Sequence, residues 1–60
     1  MDATILLVED DRSIREIIEI GLTDAGFGVR TAADGDDALS RFRRDQPDLV
    51  VLDVMVRVRP

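Results

Sequence analysis

The sequence predicts an α/β fold: a parallel sheet of three strands in the spatial order 2-1-3, with one helix between consecutive strands. Two short apolar runs, at residues 4–8 and 49–52, are typical of strands buried on both faces of a parallel sheet. The segments between the predicted strands carry apolar residues at helical spacing. Because strands and helices alternate, the crossovers should be right-handed, with helices on both faces of the sheet.

The first half of the chain predicts a strand at residues 4–8 and a helix that follows it. Asp11 is the expected N-cap of this helix, and Gly26 is suited to end it. The residues expected on its apolar face are Ile14, Ile17, Ile18, Gly21, Leu22 and Ala25.

The second half predicts a weaker strand at residues 27–32, a second helix, and a third strand at residues 49–55 or beyond. Asp34 is the expected N-cap of the second helix, which should reach about Arg44. It should end there because the residue before Pro47 disfavours the helical region. Its expected apolar face consists of Ala38, Leu39 and Phe42.

The length limits the chain to one small domain, and the composition excludes several kinds of site and partner. A domain of 60 residues buries only about 60% of its unfolded surface and is marginal alone. The chain has no Cys and no His, which excludes disulfides and a zinc site, so a partner chain or a further part of the domain is expected to complete the core. The net charge of −5 argues against direct contact with nucleic acid or membranes, and a cytoplasmic location is expected.

Acidic residues follow two strands that should be neighbours in the sheet. Glu9 and Asp10 follow the first strand, and Asp53 lies near the end of the third. Ligands of open α/β sheets bind at the carboxyl ends of the strands, where the strand order reverses, and adjacent strands are about 4.8 Å apart. Converging carboxylates suit Mg²⁺, and beside Mg²⁺ a carboxylate can act as a nucleophile towards phosphorus.

Structural roles compete with chemistry at these acids. A helix cap is the favoured interpretation of each of Glu9, Asp10 and Asp11 taken alone, and a cap or solvated turn is favoured still more for the acids at 34, 36 and 37. For Asp53 chemistry is favoured, because a lone acid inside the apolar run LVVLDVMV is rare without polar partners.

Four segments together resemble the receiver domain of bacterial two-component response regulators: ILLVEDD, SIREIIEIGLTDAGF, AADGDDAL and PDLVVLDVM. The chain is most similar to the subfamily of winged-helix transcription factors that carry a Glu-Asp pair. The resemblance extends to Met55, so residues 1–55 are expected to form the N-terminal half of a flavodoxin-like receiver domain. Residues 56–60 are then an extension or tail outside the family pattern.

The resemblance implies a role for each acidic position. Asp53 matches the aspartate that accepts a phosphoryl group from a histidine kinase. Glu9, Asp10 and Asp53 match the carboxylates that hold Mg²⁺, and Met55 matches the residue whose backbone carbonyl is a further metal ligand. Such a domain is a phosphorelay component that controls transcription and is not an enzyme in the ordinary sense.

The kinase-docking surface of the family includes the first helix. For Ile14 and Ile17 the choice between kinase contact and packing against a neighbouring helix stays open, whereas packing is favoured for Ile20. The resemblance also implies a Lys that contacts the phosphoryl group and a Ser or Thr from the later strands. Neither has a counterpart here, since the chain contains no Lys and no Ser or Thr follows Ser40. Phosphotransfer is therefore expected to be impaired.

The segment Val56-Arg57-Val58-Arg59 has a strand pattern where the family has a loop. It predicts a longer third strand with an uncovered edge, and uncovered edges invite pairing with another chain. We therefore expect a homodimer or larger assembly through the third strand. The alternative is an engineered or truncated half-domain that self-assembles without phosphotransfer, in which Asp53 is a remnant.

Overall fold

The computed structural model describes residues 3–52, and these contain the five predicted elements in the predicted order. They are β1 (Thr4–Val8), α1 (Arg12–Asp24), β2 (Gly28–Ala32), α2 (Gly35–Asp45) and β3 (Leu49–Leu52). The predicted continuation of the third strand to residue 55 and the tail at 56–60 lie outside the described residues.

The three strands form one parallel sheet in the order β2-β1-β3, which confirms the predicted order 2-1-3. Val8 pairs with Ala32 on one side and with Leu52 on the other, so the carboxyl ends of all three strands lie level. Residues 5–8 of β1 are fully buried, as expected for the central strand of a parallel sheet.

Each helix packs on β1 and β2, and the alternation of side chains along β1 divides the core into two faces. Leu6, Val8 and Ala32 form one buried cluster, against which Ala38 of α2 and Val50 of β3 pack. Residues 5 and 7 are also buried and belong to the opposite face. Right-handed crossovers in a 2-1-3 sheet place α1 on that opposite face.

The ends of α1 follow the predicted signals. The Asp11 carboxylate accepts a hydrogen bond from the amide of Ile14 at 3.0 Å, which satisfies one of the free donors of the first turn. Gly26 has φ of 100°, a left-handed conformation that other residues rarely adopt, and it terminates the helix. The amide of Phe27 donates to the carbonyl of Leu22 at 3.2 Å, so β2 begins at Gly28, one residue later than predicted.

The ends of α2 are set by a polar cap and by a proline. The Asp34 carboxylate accepts a hydrogen bond from the amide of Asp37 at 2.8 Å, which confirms the predicted N-cap. The helix extends to Asp45, one residue past the prediction. The helix ends there, because Gln46 precedes Pro47 and a residue before proline avoids the right-handed helical region. Gln46 is the C-cap, with a left-handed φ of 46°, and its amide donates to the carbonyl of Phe42 at 3.0 Å.

Several apolar side chains of the helices remain exposed. On α1, Ile18 and Leu22 are half-buried against the sheet, but Ile14, Ile17 and Ile20 are exposed. Among residues 3–52, α1 contacts β1 and β2 but not α2, so no described helix covers these isoleucines. Neither described helix is long and apolar enough to cross a membrane.

Beside α2 an apolar groove of about 280 Å³ runs between the helix and the sheet. We call it the α2 groove, and it is lined by Leu6, Val8, Gly35, Ala38, Leu39, Phe42, Val50 and Leu52.

Candidate functional site

The acidic segment, residues 9–11, begins where β1 ends and leads into α1. The backbone amide of Glu9 donates to the carbonyl of Ala32 at 3.1 Å, which continues the pairing with β2 by one bond. The Glu9 side chain is 1% exposed, whereas Asp10 and Asp11 are exposed. The segment therefore has one buried carboxylate and two exposed ones. It lies at the carboxyl ends of the strands, where the sequence predicts the site.

The two polar ends of Glu9 have different partners. Its carboxylate oxygen Oε2 accepts a hydrogen bond from the backbone amide of Asp11 at 3.3 Å. Its backbone carbonyl accepts a hydrogen bond from Nη1 of Arg15, in the first turns of α1, at 2.9 Å. A buried carboxylate is tolerated where polar groups face it, and these two hydrogen bonds hold Glu9 at the end of β1.

Three further acids of the described chain, Asp11, Asp34 and Asp37, have local structural partners. Asp11 and Asp34 are N-caps, so the capping interpretation is confirmed for both. Asp37 lies in the first turn of α2 and forms an ion pair with Arg41 at 3.6 Å. Asp10 lies between the buried Glu9 and the cap Asp11.

The strand β3 pairs with β1 and ends level with it. Leu52 pairs with Val8, and each is followed in the sequence by an acid, Asp53 and Glu9 respectively. Asp53 and Met55, the predicted acceptor and the predicted carbonyl ligand, lie outside the described residues. Within residues 3–52 no group of three acidic, His or Cys side chains is placed to hold a metal ion.

The donor atoms at the end of β1 fit Mg²⁺. Magnesium prefers hard oxygen ligands, takes one or two protein carboxylates, and retains several waters. Glu9 supplies a buried carboxylate, and Asp10 supplies a neighbouring one that solvent reaches. The exposure of Asp10 leaves space for the waters that Mg²⁺ keeps.

Arg15 is a further polar residue that contacts this strand end, and the sequence patterns did not predict it. Its hydrogen bond to the carbonyl of Glu9 spans six residues, which is not a spacing at which helical neighbours meet. The signal available was an Arg in the first turns of a helix that follows an acidic strand end.

Comparison with known proteins identifies the family. A family model for the response regulator receiver domain matches residues 5–58. The chain therefore belongs to the response regulator receiver domain family, and the resemblance seen in the sequence is confirmed.

Curated relatives and a solved structure agree with this assignment. The chain is 51% identical over 53 residues to the transcriptional regulatory protein AfsQ1 of Streptomyces coelicolor, covering 88% of this chain and 24% of that protein. It is 54% identical over 52 residues to the probable transcriptional regulator ycf27 of Porphyra purpurea, covering 87% of this chain and 21% of that protein. The structure of the chemotaxis response regulator CheY4 of Vibrio cholerae matches with a TM-score of 0.89 at 39% identity, covering 98% of this chain and 49% of that one.

These matches establish the flavodoxin-like receiver fold for the described sheet and helices. The chain spans about a quarter or less of the length of the curated relatives and about half of the matching CheY4 chain.

Proposed function

We propose that this chain is the Mg²⁺-dependent phosphoacceptor part of a response regulator, with Asp53 as the acceptor. Residues 1–55 supply the N-terminal half of the receiver domain. Glu9, Asp10, Asp53 and the backbone carbonyl of Met55 hold the metal ion. The observation that carries the proposal is the buried carboxylate of Glu9 beside the exposed Asp10, level with the carboxyl end of β3.

The register of the sheet supports this grouping. Val8 and Leu52 are paired, and neighbouring strands lie about 4.8 Å apart. One peptide bond links Leu52 to Asp53, which limits the distance between their Cα atoms to about 3.8 Å. This register and the chain connectivity support grouping Asp53 with the acidic segment.

The proposed chemistry is a transfer between a phosphorylated donor and the Asp53 carboxylate. A carboxylate oxygen forms a bond to phosphorus while the bond from phosphorus to the leaving group breaks, and the leaving group departs with its electron pair. Mg²⁺, when bound, would supply positive charge that stabilises the phosphoryl oxygens. Glu9 and Asp10 would hold the ion, and its charge would offset the repulsion between their carboxylates and that of Asp53.

The proposed role in the cell is based on the names of the relatives. Their names describe transcriptional regulators, and we propose that this chain serves such a regulator in the cytoplasm without itself contacting DNA. A histidine kinase would be the phosphoryl donor, so the chain is its substrate and not an enzyme in the ordinary sense. Ile14 and Ile17, exposed on α1 near the acidic segment, offer the kinase an apolar contact.

Phosphorylation of Asp53 is tested by intact mass. With Mg²⁺ and acetyl phosphate we expect a mass gain of one phosphoryl group, lost on chelation of Mg²⁺ and lost in Asp53→Asn. The gain should be slow, because the chain contains no Lys to stabilise the transferring charge. Asp24→Asn, which removes an exposed acid at the end of α1, is the matched control and should retain it. A gain that persists in Asp53→Asn would contradict the proposal.

A second candidate function is structural self-association without phosphotransfer. The strand β3 forms one edge of the described sheet, and its residues Leu49 and Leu52 are 56% and 61% exposed. Edge strands with apolar side chains pair readily with other chains. In a two-fold dimer, β3 of one chain would pair with β3 of a second copy, so no different partner would be needed. Leu52 also lines the α2 groove.

Self-association is tested by light scattering behind size exclusion over a dilution series. For the original chain we expect a mass of twice the chain, which should fall on dilution. Leu52→Lys should give the monomer mass, because a lysine on an edge strand opposes pairing. Ile20→Lys adds the same charge to the exposed face of α1 and should leave the mass unchanged. A folded monomer at low micromolar concentration would rule this candidate out.

A further inference from the structure

The structure assigns Arg15 a positioning role: its guanidinium fixes the peptide between Glu9 and Asp10, so that the acidic pair is held ready for Mg²⁺. This inference rests on the proposed function of these acids. Arg15 is half-buried, and its Nη1 donates to the backbone carbonyl of Glu9 at 2.9 Å. A hydrogen bond from a charged donor is about twice as strong as one between neutral groups.

The carbonyl that Arg15 binds controls the direction in which Asp10 leaves the strand. The carbonyl of Glu9 and the amide of Asp10 belong to one planar peptide unit, so holding one orients the other. The flanking groups are already fixed. The amide of Glu9 is bound to Ala32, and the amide of Asp11 is bound to the Glu9 carboxylate. The hydrogen bond from Arg15 holds the one peptide unit that lies between these two anchors.

A second arginine on the same helix shows that this contact is particular to Arg15. Arg12 forms an ion pair with Glu16 at 3.2 Å on the surface of α1, where the Arg12 side chain is 83% exposed. Exposed pairs of this kind contribute little to stability. Arg15, in contrast, forms no ion pair within residues 3–52 and donates to the backbone of the acidic segment.

The experiment compares Arg15→Met, Arg15→Lys and the control Arg12→Met by calorimetric titration with Mg²⁺. Groups that orient metal ligands typically change metal affinity by 10-fold or more, so we expect Arg15→Met to raise the Kd for Mg²⁺ roughly tenfold. Arg15→Lys keeps one donor and should give an intermediate Kd. Arg12→Met should match the original chain.

A metal-free spectroscopic readout separates positioning from general stability. We expect Arg15→Met to shift the carbonyl ¹³C resonance of Glu9 and the amide ¹⁵N resonance of Asp10, and Arg12→Met to leave both in place. If Arg15→Met does not fold, the comparison of Arg15→Lys with the original chain carries the same test, with a raised Kd supporting the inference and an unchanged one overturning it.

The failures can be told apart. If the original chain binds Mg²⁺ and Arg15→Met binds it equally well or more tightly, the positioning role is wrong and the proposed function stands. Tighter binding would mean that the charge of Arg15 merely repels the cation. If the original chain does not bind Mg²⁺, the proposed function fails and the inference fails with it.

Discussion

Replacing Leu6 with Ala is expected to leave a large fraction of the molecules unfolded. Leu6 is 1% exposed, lies on the central strand and packs in the buried cluster with Val8 and Ala32. Truncating a buried Leu to Ala costs about 2–5 kcal/mol. A domain of this size has a total stability on the order of 3–9 kcal/mol. Urea denaturation followed by circular dichroism should show the loss as a lower midpoint or as no folded baseline.

The control for this change is Ile17→Ala. Ile17 is 69% exposed on α1, so its truncation removes little buried surface and creates no cavity. We expect the free energy of unfolding to stay within about 0.5 kcal/mol of the original chain. Equal losses in the two variants would show that β1 is not the centre of the core.

Replacing Glu9 with Gln is expected to abolish the stabilisation of the protein by Mg²⁺. A ligand that binds only the folded state, present at tenfold its Kd, stabilises it by about 1.4 kcal/mol. Gln preserves the size of the side chain and an oxygen able to accept from the amide of Asp11, but it removes the charge that attracts the cation. Thermal unfolding with and without Mg²⁺ should show an increase in Tm for the original chain and none for Glu9→Gln.

The matched control is Asp11→Asn. It removes one negative charge two residues away, and Asn is as good an N-cap as Asp, so α1 should keep its first turn. This variant should retain most of the increase in Tm. A Glu9→Gln variant that is stabilised by Mg²⁺ as much as Asp11→Asn would remove Glu9 from the proposed metal site.

Most of the fold was predictable because the local helix and strand signals agree with the burial of β1. The predicted burial of residues 49–52 on both faces was wrong, because β3 forms an edge of the described sheet and its Leu49 and Leu52 are 56% and 61% exposed. The apolar run at residues 4–8 is a buried central strand. The side chains of Asp11 and Asp34 cap the start of the two helices, and the left-handed Gly26 follows the end of α1.

The boundaries that differed depend on single hydrogen bonds or on one dihedral angle. Phe27 is tied back to Leu22, and Gln46 adopts a left-handed conformation, which alternation and periodicity do not encode.

The candidate site was predictable in position but not in detail. The sequence placed Glu9 and Asp10 at the carboxyl end of the first strand, yet it could not tell that one is buried and the other exposed. That difference arises because Glu9 still pairs with β2 through Ala32, whereas Asp10 has left the sheet. The contact of Arg15 is a tertiary one, and helical periodicity carries no information about it. The predicted roles of Asp53 and Met55 remain proposals.

The central position of β1 has a consequence for how the protein is made. Both edges of β1 are paired in the folded chain, one with residues 28–32 and the other with residues 49–52. Its most apolar segment therefore leaves the ribosome before either neighbour exists, and each pairing must wait for a complete crossover helix. Until residue 52 emerges, the nascent chain carries an open hydrophobic strand edge, which is the kind of surface that chaperones bind and that promotes aggregation.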